Sequence, residues 1–204
     1  MGVKSNFTTD LQKEKELAVF LDTLYHKHLK KYCTKRIQDS KQQLLGIDVL
    51  FTNKETQEVF KVDEKAQLDY IGDDLPTFAF EINYLKNNTK KKGWLFDVSK
   101  TTEFYALITA IYKDEPNTFT SCKITFVNRE KLISLLHSKN ITQKTLSNYI
   151  ELDSKIQGKI KIKELHSYKE GYLYLSSTNK AEKPLNLILK LDYLIEKGVA
   201  KRLV

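Results

Sequence analysis

Two acidic positions carry the chemistry of this chain: Asp48 and, after fourteen intervening residues, Asp63-Glu64-Lys65. Each sits in a short apolar run, Leu45-Gly46-Ile47-Asp48-Val49-Leu50-Phe51 and Val59-Phe60-Lys61-Val62-Asp63-Glu64-Lys65. Side chains alternate across a strand, so Asp63 and Lys65 project together while Glu64 points away. The polar segment from Thr52 to Glu58 suits a hairpin loop. Two neighbouring strands would then bring two carboxylates and an ammonium to one spot. That set can hold a hard divalent cation through oxygen and activate a water. Asp48 is the first choice to bridge a metal, with Asp63 beside it. Lys65, kept charged by the acids, would hold the attacking water or a phosphate oxygen.

The elements that position these residues follow from apolar periodicity. Residues 10–36 read as one helix, with Leu17, Leu21, Leu24, Tyr25, His28 and Leu29 on three- and four-residue steps and Asp10 as its cap. Strands are expected at 45–51, 59–66 and 77–85, with a short one at Gly93–Asp97. A helix is expected over 101–113 and a strand over Lys123–Val127. Asn128 caps a further helix through Leu132, Ile133 and Leu136, and Thr142 another through Leu146, Tyr149 and Ile150. Lys159–Leu165 and Gly171–Leu175 read as a hairpin. Pro184 fits the first turn of a terminal helix through Leu185, Ile188, Leu189 and Ile195, with Gly198 ending it. Without a Pro/Gly/Ser-rich linker or a repeat, the expectation is one α/β domain over residues 1–204. It would have a mixed central sheet in a core at about 10–127 and a C-terminal α/β elaboration at about 128–204.

Asp48, Asp63-Glu64-Lys65, an acid-bearing first helix and this element order resemble the PD-(D/E)XK nuclease superfamily, which has the restriction-endonuclease-like fold. Val62–Gln67, Pro76–Glu81 and Gly93–Asp97 look similar to uncharacterised bacterial and phage members. Ile47 stands before the first acid where many members have proline, and no Gln-x-x-x-Tyr follows, because Gln67 lies too close to Lys65. The resemblance implies an αβββαβ core, Mg²⁺ or Mn²⁺ on Asp48 and Asp63, and a glutamate from the first helix. Glu14 shares the face of Leu17 and Leu21 and is preferred to Glu16. Glu81 and Gln67 are candidates to support the ligands or, for Glu81, to join them.

Composition bears on partners. The 204 residues carry 34 Lys and Arg against 26 Asp and Glu, a formal +8 with pI near 9.2. Such a surface favours polyanions, nucleic acid before anionic membrane. Lys30, Lys31, Lys35 and Arg36, with Lys90, Lys91 and Lys92, would flank the cleft and grip backbone phosphates; Lys155, Lys159, Lys161 and Lys163 form a third cluster. Trp94 and Tyr84 stand near the second. Two cysteines, Cys33 and Cys122, make no disulfide framework, and the start lacks a secretory pattern, so a cytoplasmic setting is expected. His26 and His28, two residues apart, do not share a helical face, and no second Cys/His pair stands near them and Cys33 to complete a zinc site; the seven glycines include no phosphate-binding loop. The expectation is a metal-dependent (endo)deoxyribonuclease acting on DNA, with a homodimer if both strands are cut. The rivals are a non-catalytic nucleic-acid-binding module and a protein-interaction module on the same fold.

Overall fold

A computed structural model describes residues 7–86, 89–115, 118–146, 157–176 and 183–204. Helix α1 (Phe7–His28) contains Asp10 rather than starting after it, and ends with His26, Lys27 and His28 at its negative pole. The Leu29 amide still reaches Tyr25 O, and the Tyr32 amide then turns back to Leu29 O. Residues 32–36 leave the expected helix and form strand β1 (Tyr32–Arg36). Aromatic, thiol and β-branched side chains at Tyr32, Cys33 and Thr34 suit an extended backbone, and pairing with the next strand outweighs helical continuation. A short helix α2 (Ser40–Leu44), capped by Asp39, separates β1 from its partner.

Strands β2 (Val49–Asn53) and β3 (Val59–Ala66) form the expected hairpin, with Val49 opposite Val62 and Phe51 opposite Phe60. Its loop is held by Asn53 Oδ1, which accepts from the Glu55 and Thr56 amides, and Gln57 turns the chain at φ 60°. Beyond β3 the chain makes strand β4 (Thr77–Lys86) and β5 (Thr89–Lys92), then β6 (Phe104–Glu115) and β7 (Thr118–Asn128). The helix expected over 101–113 is therefore strand β6. Tyr105 to Ile111 is buried without interruption, the signature of a central strand covered on both faces, which a helical reading of the same apolar residues misassigns.

After α3 (Arg129–Ser138) come β8 (Gly158–Ile160), β9 (Gly171–Leu175), β10 (Leu185–Lys190), α4 (Leu191–Glu196) and β11 (Ala200–Arg202). The first turn beyond Thr142 is helical, with Thr142 and Thr145 bonding each other's amides; Tyr149, Ile150 and Lys155 lie outside the described residues. The terminal helix expected from Pro184 starts only at Leu191. Leu185, Leu187 and Leu189 are buried and alternate with half-buried Asn186, Ile188 and Lys190, a period of two. Gly198, at φ 67°, ends α4 as expected.

The sheets divide the chain differently from the expected 10–127 core. One sheet has the order β1-β2-β3-β6-β7-β11, the other β5-β4-β10-β9-β8. The first is mixed, since β6 runs parallel to β3 while the other pairs are antiparallel. The second is wholly antiparallel. They belong to two compact units, one of residues 4–75, 100–129 and 200–204, the other of residues 1–3, 76–99 and 130–199. The class is α/β. In the first unit α1 lays Leu17, Leu21 and Tyr25 on Val49, Phe51, Val62, Ala106, Ile108 and Ile124. The strand expected at 77–85 forms, but in the second unit's sheet. Gly93–Asp97, expected as a strand, lies just past β5: Gly93 and Leu95 still donate to Ile82 O and Glu81 O, but the ladder with β4 covers Thr89–Lys92. Among the described residues no helix is long and apolar enough to cross a membrane.

Candidate active site

Asp48 is the residue before β2. Its amide donates to Val62 O (2.9 Å) and its carbonyl accepts from the Ile37 amide (2.8 Å), so main-chain bonds fix it on both sides. One step before the Val49–Val62 pair, it stands across from Asp63. Its Oδ2 accepts from the Glu64 amide at 2.8 Å. Asp63, 2 % exposed, accepts from Lys65 Nζ at 2.5 Å, and Lys65 is half-buried. The two carboxyls are themselves within hydrogen-bonding reach. Burial first, and then the neighbouring Asp63 charge, push the Asp48 carboxyl up to about 7, against the opposing pull of the Glu64 amide and Lys65. The sequence expectation that strand pairing would bring these three side chains together therefore holds in the geometry.

Sequence reading missed the wall beside them. Gly46 sits at φ 76°, a backbone that favours glycine, and its carbonyl accepts from Thr102 Oγ1 at 2.7 Å. A Cβ there would lie 2.3 Å from Thr102 Oγ1 and 3.3 Å from Asp63 Oδ2. Lys100 runs past the same spot to donate from Nζ to Leu44 O at 2.7 Å, close to the C-terminus of α2. A glycine inside an apolar run was the available signal; Thr102 and Lys100 gave none, being more than fifty residues away in sequence.

Glu64 faces the other way, as alternation requires, and anchors a second network. It accepts from Arg36 Nη1 at 2.6 Å and from Tyr25 Oη at 2.8 Å, while Arg36 Nη2 reaches Asp22 at 2.6 Å and Ala18 O at 3.1 Å. Arg36 is thus a strut between α1 and β3 rather than a free phosphate contact, a correction to the sequence expectation. Burial lowers its hold on the proton, but Asp22 and Glu64 outweigh that and keep it charged. Burial and then the Glu64 charge hold the Tyr25 hydroxyl well above its ordinary value.

A cleft of about 790 Å³ opens within this unit, lined by Glu14, Asp48, Glu64, Lys65, Arg36 and Ile108 among others. Glu14 is exposed on its rim. Glu16 instead accepts from Gln12 and faces Lys113 at 3.8 Å. Among the described residues no set of three His, Cys, Asp or Glu side chains forms a metal cage. The donor set offered is the Asp48–Asp63 pair. It fits Mg²⁺ or Mn²⁺, which a pair of carboxylates holds while water fills the remaining positions. Gln67 follows β3, its amide bonded to Ile108 O. Lys30, Lys31 and Lys35 are exposed in the same unit. Glu81 and Lys90–Lys92 belong to the other unit and its sheet. Compared with protein-family models, curated proteins and solved structures, the chain matches none.

Proposed function

We propose that this chain is a metal-dependent nuclease that hydrolyses phosphodiester bonds in DNA from the PD-(D/E)XK constellation of Asp48, Asp63 and Lys65. The observation that carries this reading is the shared spot itself: two adjacent carboxyls, one with a raised affinity for protons, beside Lys65, with Asp48 and Lys65 also reaching the lining of a cleft. Buried like-charged carboxyls are costly. A cation between Asp48 and Asp63 would relieve that cost, as Lys65 already does in part for Asp63. The restriction-endonuclease-like core is part of the same reading. Its support is the run α1-β1-α2-β2-β3 with β6 parallel to β3; its departures are α2 between β1 and β2 and, among the described residues, no α-helix between β3 and β6.

Asp48 and Asp63 would hold Mg²⁺ or Mn²⁺, which supplies Lewis acidity and lowers the pKa of a bound water. Within the chain, the Glu64 amide orients Asp48 through Oδ2. Lys65, standing at the acids, places its ammonium where an attacking water or the phosphate's developing charge would lie. Hydrolysis adds water oxygen to phosphorus and breaks one P–O ester bond, and the leaving oxygen takes a proton. Glu14, on the cleft rim, is the first-helix acid of the proposal.

The test is incubation of plasmid, linear duplex and single-stranded DNA with the protein in Mg²⁺ or Mn²⁺, with chelator as control. Cutting that needs the metal and vanishes in Lys65→Ala is the expected result. Metal-independent cutting, or full activity in Lys65→Ala, overturns the assignment. Intact DNA binding without any cutting selects the non-catalytic binding module instead.

A further inference from the structure

The excess positive charge does not sit with the acids. The unit holding Asp48 and Asp63 has 18 Lys and Arg against 16 Asp and Glu, whereas the other unit has 16 against 10. In that second unit, β8 and β9 pair so that Lys159 lies across from Tyr174. The Lys159 ammonium sits 4.0 Å from the Tyr172 ring centroid and 5.1 Å from that of Tyr168. Tyr168 is 72 % exposed, with the His166 ring 6.4 Å away. Tyr172 and Tyr174 share the half-buried face of β9, opposite the buried Leu173 and Leu175. That face continues onto β10, where Ile188 lies across from Tyr172 and Asn186 across from Tyr174. Lys161, Lys163 and Lys169 are exposed nearby in the chain.

We propose that this tyrosine–lysine face binds single-stranded nucleic acid, with a base stacking on the exposed Tyr168 ring and with Lys159 and its neighbours meeting the phosphates. The rings decide between partners. Lysines alone attract any polyanion, but a solvent-facing aromatic ring beside a cation offers a stacking surface that an acidic peptide cannot use. A duplex keeps its base faces inside its own stack, whereas a single strand presents them. The site is independent of the metal: nothing in it draws on Asp48, Asp63 or Lys65.

The experiment is fluorescence anisotropy of a labelled oligothymidylate of about twenty nucleotides, titrated with the full chain in chelator. Saturable binding is expected, with an equal-length duplex and anionic vesicles competing more weakly. Tyr168→Ala should weaken it roughly tenfold or more, and Tyr168→Phe, which keeps the ring, should not. Tyr168 is exposed enough that neither variant threatens folding, and a thermal melt confirms this. Lys159→Ala should reduce the slope of log affinity against log salt by about 0.7. Failure to bind the single strand, or equal affinities for wild type and Tyr168→Ala, overturns the proposal, as does equal competition by duplex or vesicles. Asp48→Asn should bind as wild type does. Wild type that binds the single strand but cuts no DNA with metal sinks only the acid-site reading, and wild type that cuts but does not bind the single strand sinks only this one.

Discussion

At the scale of single residues, Asp48 sets the pH behaviour of the apo protein. Its folded-state affinity for the proton lies above the ordinary aspartate value of 3.8, at about 7, through burial and then Asp63. The folded state therefore binds the proton more tightly than the unfolded chain does. The stability this contributes is full below about 4 and is lost as pH rises through about 7. In Asp48→Asn the amide oxygen can still accept from the Glu64 amide, and its NH₂ can donate to Asp63. Urea denaturation in chelator should show this variant more stable than wild type at pH 8, with the gap closing at pH 5. A wild-type stability that is flat between those two values contradicts the assignment. The neighbouring network gives a second expectation. Arg36→Ala leaves Glu64 and Asp22 without their strut and should cost about 2 kcal/mol in the same measurement, the usual scale for hydrogen bonds to charged groups. Because Glu64 carries the amide that orients Asp48, metal affinity should fall as well.

At the scale of elements, the site depends on one loop and one helix. Gly46→Ala has nowhere to put its methyl, with Thr102 Oγ1 2.3 Å from the ideal Cβ, and it also strains a backbone at φ 76°. We expect a loss of more than about 1 kcal/mol and weaker metal-dependent stabilisation, since Asp63 Oδ2 is the next atom in line. Gly72→Ala is the control: it shares the positive φ (93°) but has open space around its Cβ position. It should lose only the conformational part and leave metal binding unchanged. On the other side of the sheet, Leu21 is 2 % exposed in the core formed by α1, β2, β3 and β6. Leu21→Ala should destabilise by roughly 2–5 kcal/mol on a denaturant curve. A smaller loss would mean that α1 packs loosely on the strands that carry the acids.

At the scale of the whole molecule, the larger excess of Lys and Arg and the Asp48–Asp63–Lys65 cluster fall on different units. Nucleic-acid affinity should therefore follow the basic unit. Replacing Lys159, Lys161 and Lys163 by alanine should weaken single-strand binding at fixed salt more than replacing Lys30, Lys31 and Lys35. Anisotropy of the two triple variants reads the difference directly. The reverse order would place the binding surface beside the acids after all. The exposed Lys90–Lys92 row lies on the edge strand β5, where charges of this kind also discourage a sheet edge from pairing with another chain.

The sequence by itself determined what local alternation controls. The β2–β3 hairpin, the meeting of Asp48, Asp63 and Lys65, and the opposite direction of Glu64 all follow from a period of two and a polar loop. Where apolar residues run without a break, as from Tyr105 to Ile111, helix and buried strand look alike, and only pairing with β3 and β7 decided the outcome. The same holds for Tyr32–Arg36 and Leu185–Lys190, whose strand character comes from partners distant in sequence. Tertiary structure alone assigned 77–86 to a second sheet, tied Arg36 to Glu64 and Asp22, and set Thr102 against Gly46. Spacing within a strand is a local rule, whereas sheet membership and ion-pair partners are settled by which surfaces remain to be buried once the strands have formed.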